Sequence, residues 1–286
     1  MLLKKKSILV VLTSLIMALS LALIGCGGTP EATDGDAADA QAAGGDAAPT
    51  EMILVKEGKL IVGSDCDYPP FIFMDGAKPA GFEYDLMLEI GKKLDLEVEY
   101  LAPQNFDSLI ASVAAGSKMD IGVSSFTIND ERKKLVNFCT PYFDSNQAIV
   151  SLKSKAYTNA SDLEGMVIAA QSGTTGADWA QENIPGITLK PFNQTSEAIA
   201  AVLAGDAEAV VYDEPVAAEH VAEQYAGELE IIQSVPTGEQ YGFAVSKDNP
   251  VLEAAVNQAL LDLKADGTFD LIFLKYFPGV TPPSLR

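Results

Sequence analysis

Val167-Ile168-Ala169-Ala170-Gln171-Ser172-Gly173-Thr174-Thr175-Gly176 joins a short apolar run to a glycine turn, and a helical pattern over 177–183 follows. A run this short, closed by a turn, predicts a buried strand feeding a helix. The same rhythm extends outward in both directions. Upstream, Leu60-Ile61-Val62 reads as a first strand, and 82–94 as a helix with Leu86, Ile90 and Leu94 on one stripe. A strand over 98–101, a helix marked by Phe106, Leu109, Ile110 and Val113, and a strand over 119–123 come next. After Pro141 strands are expected near 148–152, 189–192 and 209–212, with a helix around 196–203. Leu252, Val256, Ala259, Leu260 and Leu263 share the face of a closing helix, which Gly267 separates from a short last one. Alternation of this kind predicts an α/β class on mainly parallel sheets.

Composition narrows the function. The 286 residues carry 19 Lys or Arg against 40 Asp or Glu, a formal charge of −21, which argues against a nucleic-acid partner. One histidine, His220, excludes any site that needs two imidazoles, and three cysteines exclude a Cys₄ zinc centre; no metal or cofactor is expected. His220 lies in an acidic helix-like stretch over 217–226 and is expected at the surface.

Residues 1–25 read as an export signal, with Lys4, Lys5 and Lys6 ahead of an uncharged run from Ile8 to Ile24. The run is marginal for a membrane helix. It ends in Leu23-Ile24-Gly25-Cys26, which resembles the lipobox of bacterial lipoproteins, and that resemblance implies cleavage and lipidation at Cys26. Residues 26–52 hold no aromatic, Lys or Arg side chain and read as a disordered acidic tether.

Three features of the folded part suit a ligand. The Gln171–Gly176 turn lets backbone amides converge at a helix start, which favours an anion or simply caps the helix. Ser124-Ser125-Phe126-Thr127 ends a strand ahead of Arg132, and hydroxyls with a guanidinium fit a carboxylate; alternatively Arg132 pairs with the acids around it. Asp213 ends an apolar strand, where it can receive an ammonium or cap a helix. Tyr68 and Phe71 flank Pro69-Pro70 just after the first strand and Phe106 opens the second helix, as aromatic walls or as core.

Together these residues resemble the family 3 solute-binding proteins of bacterial ABC importers. Gly81-Phe82-Glu83-Tyr84-Asp85-Leu86 is similar to the family signature, with Tyr84 at a usually aliphatic position. Asp65 with Tyr68-Pro69-Pro70-Phe71, Gly116 with Asp120, the 124–132 segment, the Gln171–Gly176 turn, Asp213 and Asp266-Gly267-Thr268-Phe269 follow in order over about 55–278. The resemblance implies two α/β lobes, 53–145 plus 239–286 and 146–238, joined by two crossover hinge strands. It implies a ligand carboxylate on Arg132, Thr127 and the Gly173, Thr174 and Thr175 turn. The ammonium falls to Asp213 with Ser125, the walls to Tyr68 and Phe106, and Asp65, Glu83 and Ser124 complete the site. It further implies a monomer anchored by lipid at the extracytoplasmic face, delivering a polar amino acid to ABC permease subunits. Asp65, Asp67 and Glu83 favour a cationic or strongly hydrogen-bonding ligand side chain over an acidic one.

Rival readings of the same fold are a dehydratase of the arogenate or prephenate type and a ligand-sensing module. No histidine motif accompanies Cys66 to activate it, and no catalytic role is expected. Cys66 and Cys139 are expected as free, buried thiols.

Overall fold

The computed structural model describes residues 51–285; the export signal, Cys26 and the tether up to residue 50 lie outside the described residues. In chain order the elements begin with β1 (Lys59–Gly63), β2 (Asp67–Tyr68), β3 (Ile72–Asp75), β4 (Lys78–Ala80), α1 (Phe82–Lys93), β5 (Glu97–Tyr100) and α2 (Phe106–Ala115). β6 (Ile121–Gly122), α3 (Asp130–Lys133), β7 (Val136–Phe138), β8 (Phe143–Leu152), β9 (Val167–Gln171), α4 (Thr175–Asn183) and β10 (Thr188–Phe192) come next. The chain ends with α5 (Thr195–Ala204), β11 (Ala209–Asp213), α6 (Glu214–Glu219), β12 (Leu229–Tyr241), β13 (Ala244–Ser246), α7 (Pro250–Ala265) and α8 (Thr268–Tyr276).

Two five-stranded sheets organise the molecule, ordered β5-β1-β6-β13-β7 and β10-β9-β11-β8-β12, with β2-β3-β4 as a small third sheet. The α/β class holds, but the pairing is mixed rather than mainly parallel. In the first sheet β1 runs parallel to β5 and β6, while β13 is antiparallel to β6 and β7. In the second, β9 is parallel to β10 and β11, while β8 is antiparallel to β11 and β12. The antiparallel junctions arise where the chain passes from one sheet to the other, from β7 into β8 and from β12 back into β13.

The central strands are apolar along their length because helices cover both faces. In the second sheet Ile168 and Val211 pack with Ala180 of α4 and Ile184 just past its end, while Ala169 and Val210 pack with Ala198, Ile199 and Val202 of α5. In the first, Ile61 packs with Leu109 and Val113 of α2, and Leu60 and Val62 with the cluster of Leu86, Ile90, Val256 and Leu260. Buried aromatic rings join the sheets at the crossing. Phe71 lies 4.7 Å from Phe143 and 5.3 Å from Tyr241, and Tyr142 stacks on Phe243 at 4.5 Å.

Three elements depart from the sequence expectation. The segment 67–80 forms a small sheet whose strands are too short to show a period. β12 is a long strand despite Pro236 and Gly238; it lies at a sheet edge, and the register skips between Val235 and Glu239, where a missing N–H is tolerated. His220 is buried, not at the surface. Beyond α6 the helix widens into a π-turn over His220–Gln224, which breaks the 3.6-residue period and turns the imidazole onto Tyr212 and Tyr225, each 5.8 Å away.

Among the described residues no helix is long and apolar enough to cross a membrane. Cys66 and Cys139 are free and buried, and burial raises both thiol pKa values, that of Cys66 to about 11.

Candidate functional site

The strands β1, β6, β9 and β11 all run out towards one cleft between the two large sheets, the position where open α/β sheets gather polar groups. The cleft is lined by Asp65, Tyr68, Phe106, Ser124, Ser125, Thr127 and Arg132 from the first-sheet side. Gln171, Thr174, Thr175, Thr195, Val211, Tyr212 and Asp213 line it from the second.

Arg132 stands on α3, a single turn capped by Asn129, whose Oδ1 accepts the Arg132 amide at 2.8 Å. The neighbouring acids do not hold it. Lys133 pairs with Asp130 at 3.7 Å and Lys134 with Glu131 at 2.5 Å, which leaves the guanidinium to turn inward. It donates to the carbonyls of Thr127 (2.8 Å) and of Gly173 (3.0 Å), and rests beside the rings of Phe106 (5.5 Å) and Phe126 (5.9 Å). Desolvation lowers its pKa while Asp213, Glu239 and Asp178 act in the opposite direction, so it stays a cation. Two of its five N–H donors are used by those carbonyls, and the others remain for an anion.

Asp213 ends β11 and provides no side-chain cap to α6. Its carboxylate accepts from Gln147 Nε2 and from Tyr241 OH, both at 2.5 Å, and its own amide donates to Tyr68 OH at 3.2 Å. Burial and then the nearby Glu239 push its pKa up to about 6, against the lowering effect of those hydrogen bonds. Glu239, on β12 at the bulge, accepts from Gln147 (2.8 Å), Thr127 (3.1 Å) and Thr175 (3.2 Å).

Asp65 accepts from Ser124 Oγ at 2.7 Å and from Gln171 Nε2 at 3.0 Å, and Gln171 Oε1 accepts from Thr195 at 3.0 Å. Asp65 is therefore already partnered, and an aliphatic ligand would not leave it bare. Desolvation raises its pKa. The strand ends here are strained: Cys66 and Ser125 adopt left-handed φ values of 51° and 47°, a conformation that costs a side chain about 1–2 kcal/mol. Ser125 is held there because its N–H and Oγ–H both reach Glu83 Oε1 at 2.9 Å.

Ten of the residues expected from sequence thus line one cleft, and two do not. Glu83 is fully buried behind Ser125, also bonded to Tyr142 OH, with burial raising its pKa to about 7. Gly81 sets that position: a Cβ there would fall 2.3 Å from the Phe71 carbonyl, and the amides of Phe82 and Glu83 bond to Pro70 and Phe71 carbonyls instead. Gly173 contributes only its carbonyl, to Arg132. Ser125, spent as a donor, keeps lone pairs that can accept from an ammonium. Gln171, Thr195, Val211 and Tyr212 were not foreseen as lining. Gln171 ends β9 and was within reach of the strand-end rule; Gln147 lies inside β8 directly opposite Asp213, and Tyr241 closes β12 and reaches Asp213 from the far side of β8. Among the described residues no group of three or more His, Cys, Asp or Glu is placed to hold a metal ion.

The cleft thus has a desolvated cation with free donors at one end and a desolvated carboxylate at the other. The chain is similar to known proteins over most of its length. The L-cystine-binding protein TcyJ of Escherichia coli (strain K12) is 31% identical over 227 residues, covering 78% of this chain and 84% of that protein. An ancestral arginine-binding protein, solved bound to arginine, is 38% identical at a TM-score of 0.72, covering 77% of this chain and 98% of its own. The ancestral amino acid-binding protein AncCDT-1, described as a precursor of cyclohexadienyl dehydratase, is 36% identical at a TM-score of 0.71, covering 77% and 96%. The model of the bacterial extracellular solute-binding proteins, family 3, matches residues 60–279, and with these relatives it establishes that the chain belongs to that family.

Proposed function

We propose that this protein captures an amino acid in the cleft and presents it, as the extracytoplasmic binding component of an ABC importer, to permease subunits. The observation that carries the reading is the pairing of Arg132, with unused donors, and Asp213 across one desolvated cleft. A zwitterion satisfies both ends; a nucleotide brings anions for Arg132 but no cation for Asp213, and an apolar solute satisfies neither. Arg132, Thr127 and the Thr174 and Thr175 turn take the α-carboxylate, and Asp213 with Ser125 takes the ammonium. The lobes 53–145 plus 239–286 and 146–238 close on the ligand about the strands between them, and the protein acts as a monomer.

The lining favours a side chain with hydrogen atoms to donate. It contains two acids, Asp65 and Asp213, and one cation, Arg132, so a zwitterion with an added positive charge balances it. An acidic amino acid would add a desolvated like charge beside Asp65. Arginine and lysine come first. Glutamine follows, because Asp65, Gln171 and Thr195 offer acceptors without requiring charge.

Calorimetry against the twenty amino acids and common polyamines tests this. Arginine, lysine, histidine or glutamine should bind best and be recovered unchanged after long incubation. Leucine or glutamate outcompeting all four would overturn the side-chain assignment, and conversion of the ligand would make the protein an enzyme. Anchoring is proposed through Cys26: Cys26→Ser should lose incorporation of labelled fatty acid, and retained label would remove the anchor.

A further inference from the structure

Helix α5 begins without a cap of its own. Gln194, at its N-cap position, makes no side-chain bond to the first turn, although the first amides of a helix need acceptors. The acceptor comes from the opposite lobe. Asp67, on β2, takes the Ser196 amide on one oxygen and the Ser196 hydroxyl on the other, both at 2.9 Å, and the Thr195 amide also acts on its carboxylate. Asp67 is half-buried and Ser196 exposed, and neither lines the cleft. Their neighbours Tyr68 and Thr195 both do.

We propose that Asp67 is a positioning residue for ligand capture, which caps α5 across the cleft in the closed form and thereby sets Tyr68 against Thr195 at the wall of the site. The inference rests on the reading that the lobes close on an amino acid. In an open form the carboxylate and the helix start are both returned to water, so the cap contributes only to closure. A carboxylate at a helix N-terminus also gains from the helix dipole, which adds to the same bias. Other bonds across the cleft, among them Gln171 to Asp65, Arg132 to the Gly173 carbonyl and the Asp213 amide to Tyr68 OH, involve residues that line the site or clamp the ligand, so their removal would disturb ligand contacts as well. Asp67 and Ser196 separate closure from contact.

Loss of an N-cap side chain shifts stability by an amount equivalent to about fivefold in an equilibrium constant. Asp67→Ala should therefore weaken binding of the amino acid identified by calorimetry, with L-arginine as first probe, about fivefold. Stopped-flow kinetics should place most of this in faster dissociation, because opening precedes release. Ser196→Ala, which keeps the amide bond, should cost less, and Asp67→Asn, which keeps an acceptor, should restore part of the loss. In the Asp67→Ala background Ser196→Ala should add nothing. A purely structural role would lower the melting temperature and leave dissociation unchanged, and that result in a folded Asp67→Ala protein overturns the proposal. Wild-type protein that binds no amino acid would remove the functional reading and the proposal together; wild-type binding with unchanged Asp67→Ala kinetics removes the proposal alone.

Discussion

The two ends of the cleft hold opposite charges by different means. At the Arg132 end the partners are main-chain carbonyls and aromatic faces, none of which titrates. At the Asp213 end they are the side chains of Gln147 and Tyr241 with Tyr68 close by, and a second acid, Glu239, stands near. The cation is therefore fixed over the whole working range of pH. The anion is conditional, since neutral donors in a dry setting do not offset its desolvation completely. The difference teaches that charge complementarity towards a zwitterion can be robust on one side and tunable on the other.

The strongest test breaks each end in turn. Removing one member of a buried, hydrogen-bonded charge pair costs roughly 2–5 kcal/mol. Arg132→Ala and Asp213→Ala should each weaken amino-acid binding by about 30-fold or more, measured by calorimetry on folded protein. Wild-type affinity in Arg132→Ala would remove the clamp. Asp213→Asn should lose binding nearly as fully, because an amide replaces one acceptor with a donor aimed at the ammonium.

Changing pH sharpens the comparison, since the stability of the empty protein and its affinity for ligand should respond in opposite directions. Glu83 and Asp213 bind a proton more tightly folded than unfolded, with folded values of about 7 and about 6. Their ionised forms weigh against the folded state above those values, and the burden is relieved as pH falls through 7 towards 4. At about 1.4 kcal/mol per unit, relief at Glu83 alone is on the order of 3 kcal/mol. The empty protein should melt higher at pH 5 than at pH 8, although His220, whose pKa burial lowers to about 4, opposes the change below pH 6.5, and Glu83→Gln should flatten that slope. Ligand affinity should run the other way. It should be level above pH 7 and fall about tenfold for each unit below 6, as protonation removes the Asp213 charge; a flat profile would show that Asp213 does not receive the ammonium.

What the sequence made legible follows from the same physics. Ser124, Thr127 and Asp213 sit at or just beyond the carboxyl ends of apolar strands, so local pattern and a general rule about sheets located them together, whereas Asp65 came only through the family resemblance. Arg132 was ambiguous in sequence, because acids and lysines surround it, and only the pairing of those lysines with those acids released it. Gln147, Tyr241 and Glu239 were invisible because their roles depend on register between β8, β11 and β12, and a bulge sets that register. His220 was misplaced because a π-turn carries no periodic signature. The Asp67 cap joins residues 129 positions apart, a distance that no local pattern spans.

The smallest expected effect isolates Arg132 from its neighbourhood. Lys133 and Lys134 follow it directly in sequence, are exposed, and pair with exposed acids on the same turn. If the Arg132 end worked through the net charge of this basic segment, neutralising either lysine would weaken binding in proportion. If it works through a guanidinium fixed by carbonyls, neither lysine matters, since surface ion pairs contribute little and their field is screened within about 10 Å at ordinary salt. Lys133→Ala and Lys134→Ala should therefore leave affinity within about twofold of wild type at 0.15 M salt. Lowering the salt should expose a small loss confined to the association rate, as long-range steering would require. A larger loss, appearing in dissociation and persisting at high salt, would mean that the segment as a whole, and not Arg132, holds the carboxylate.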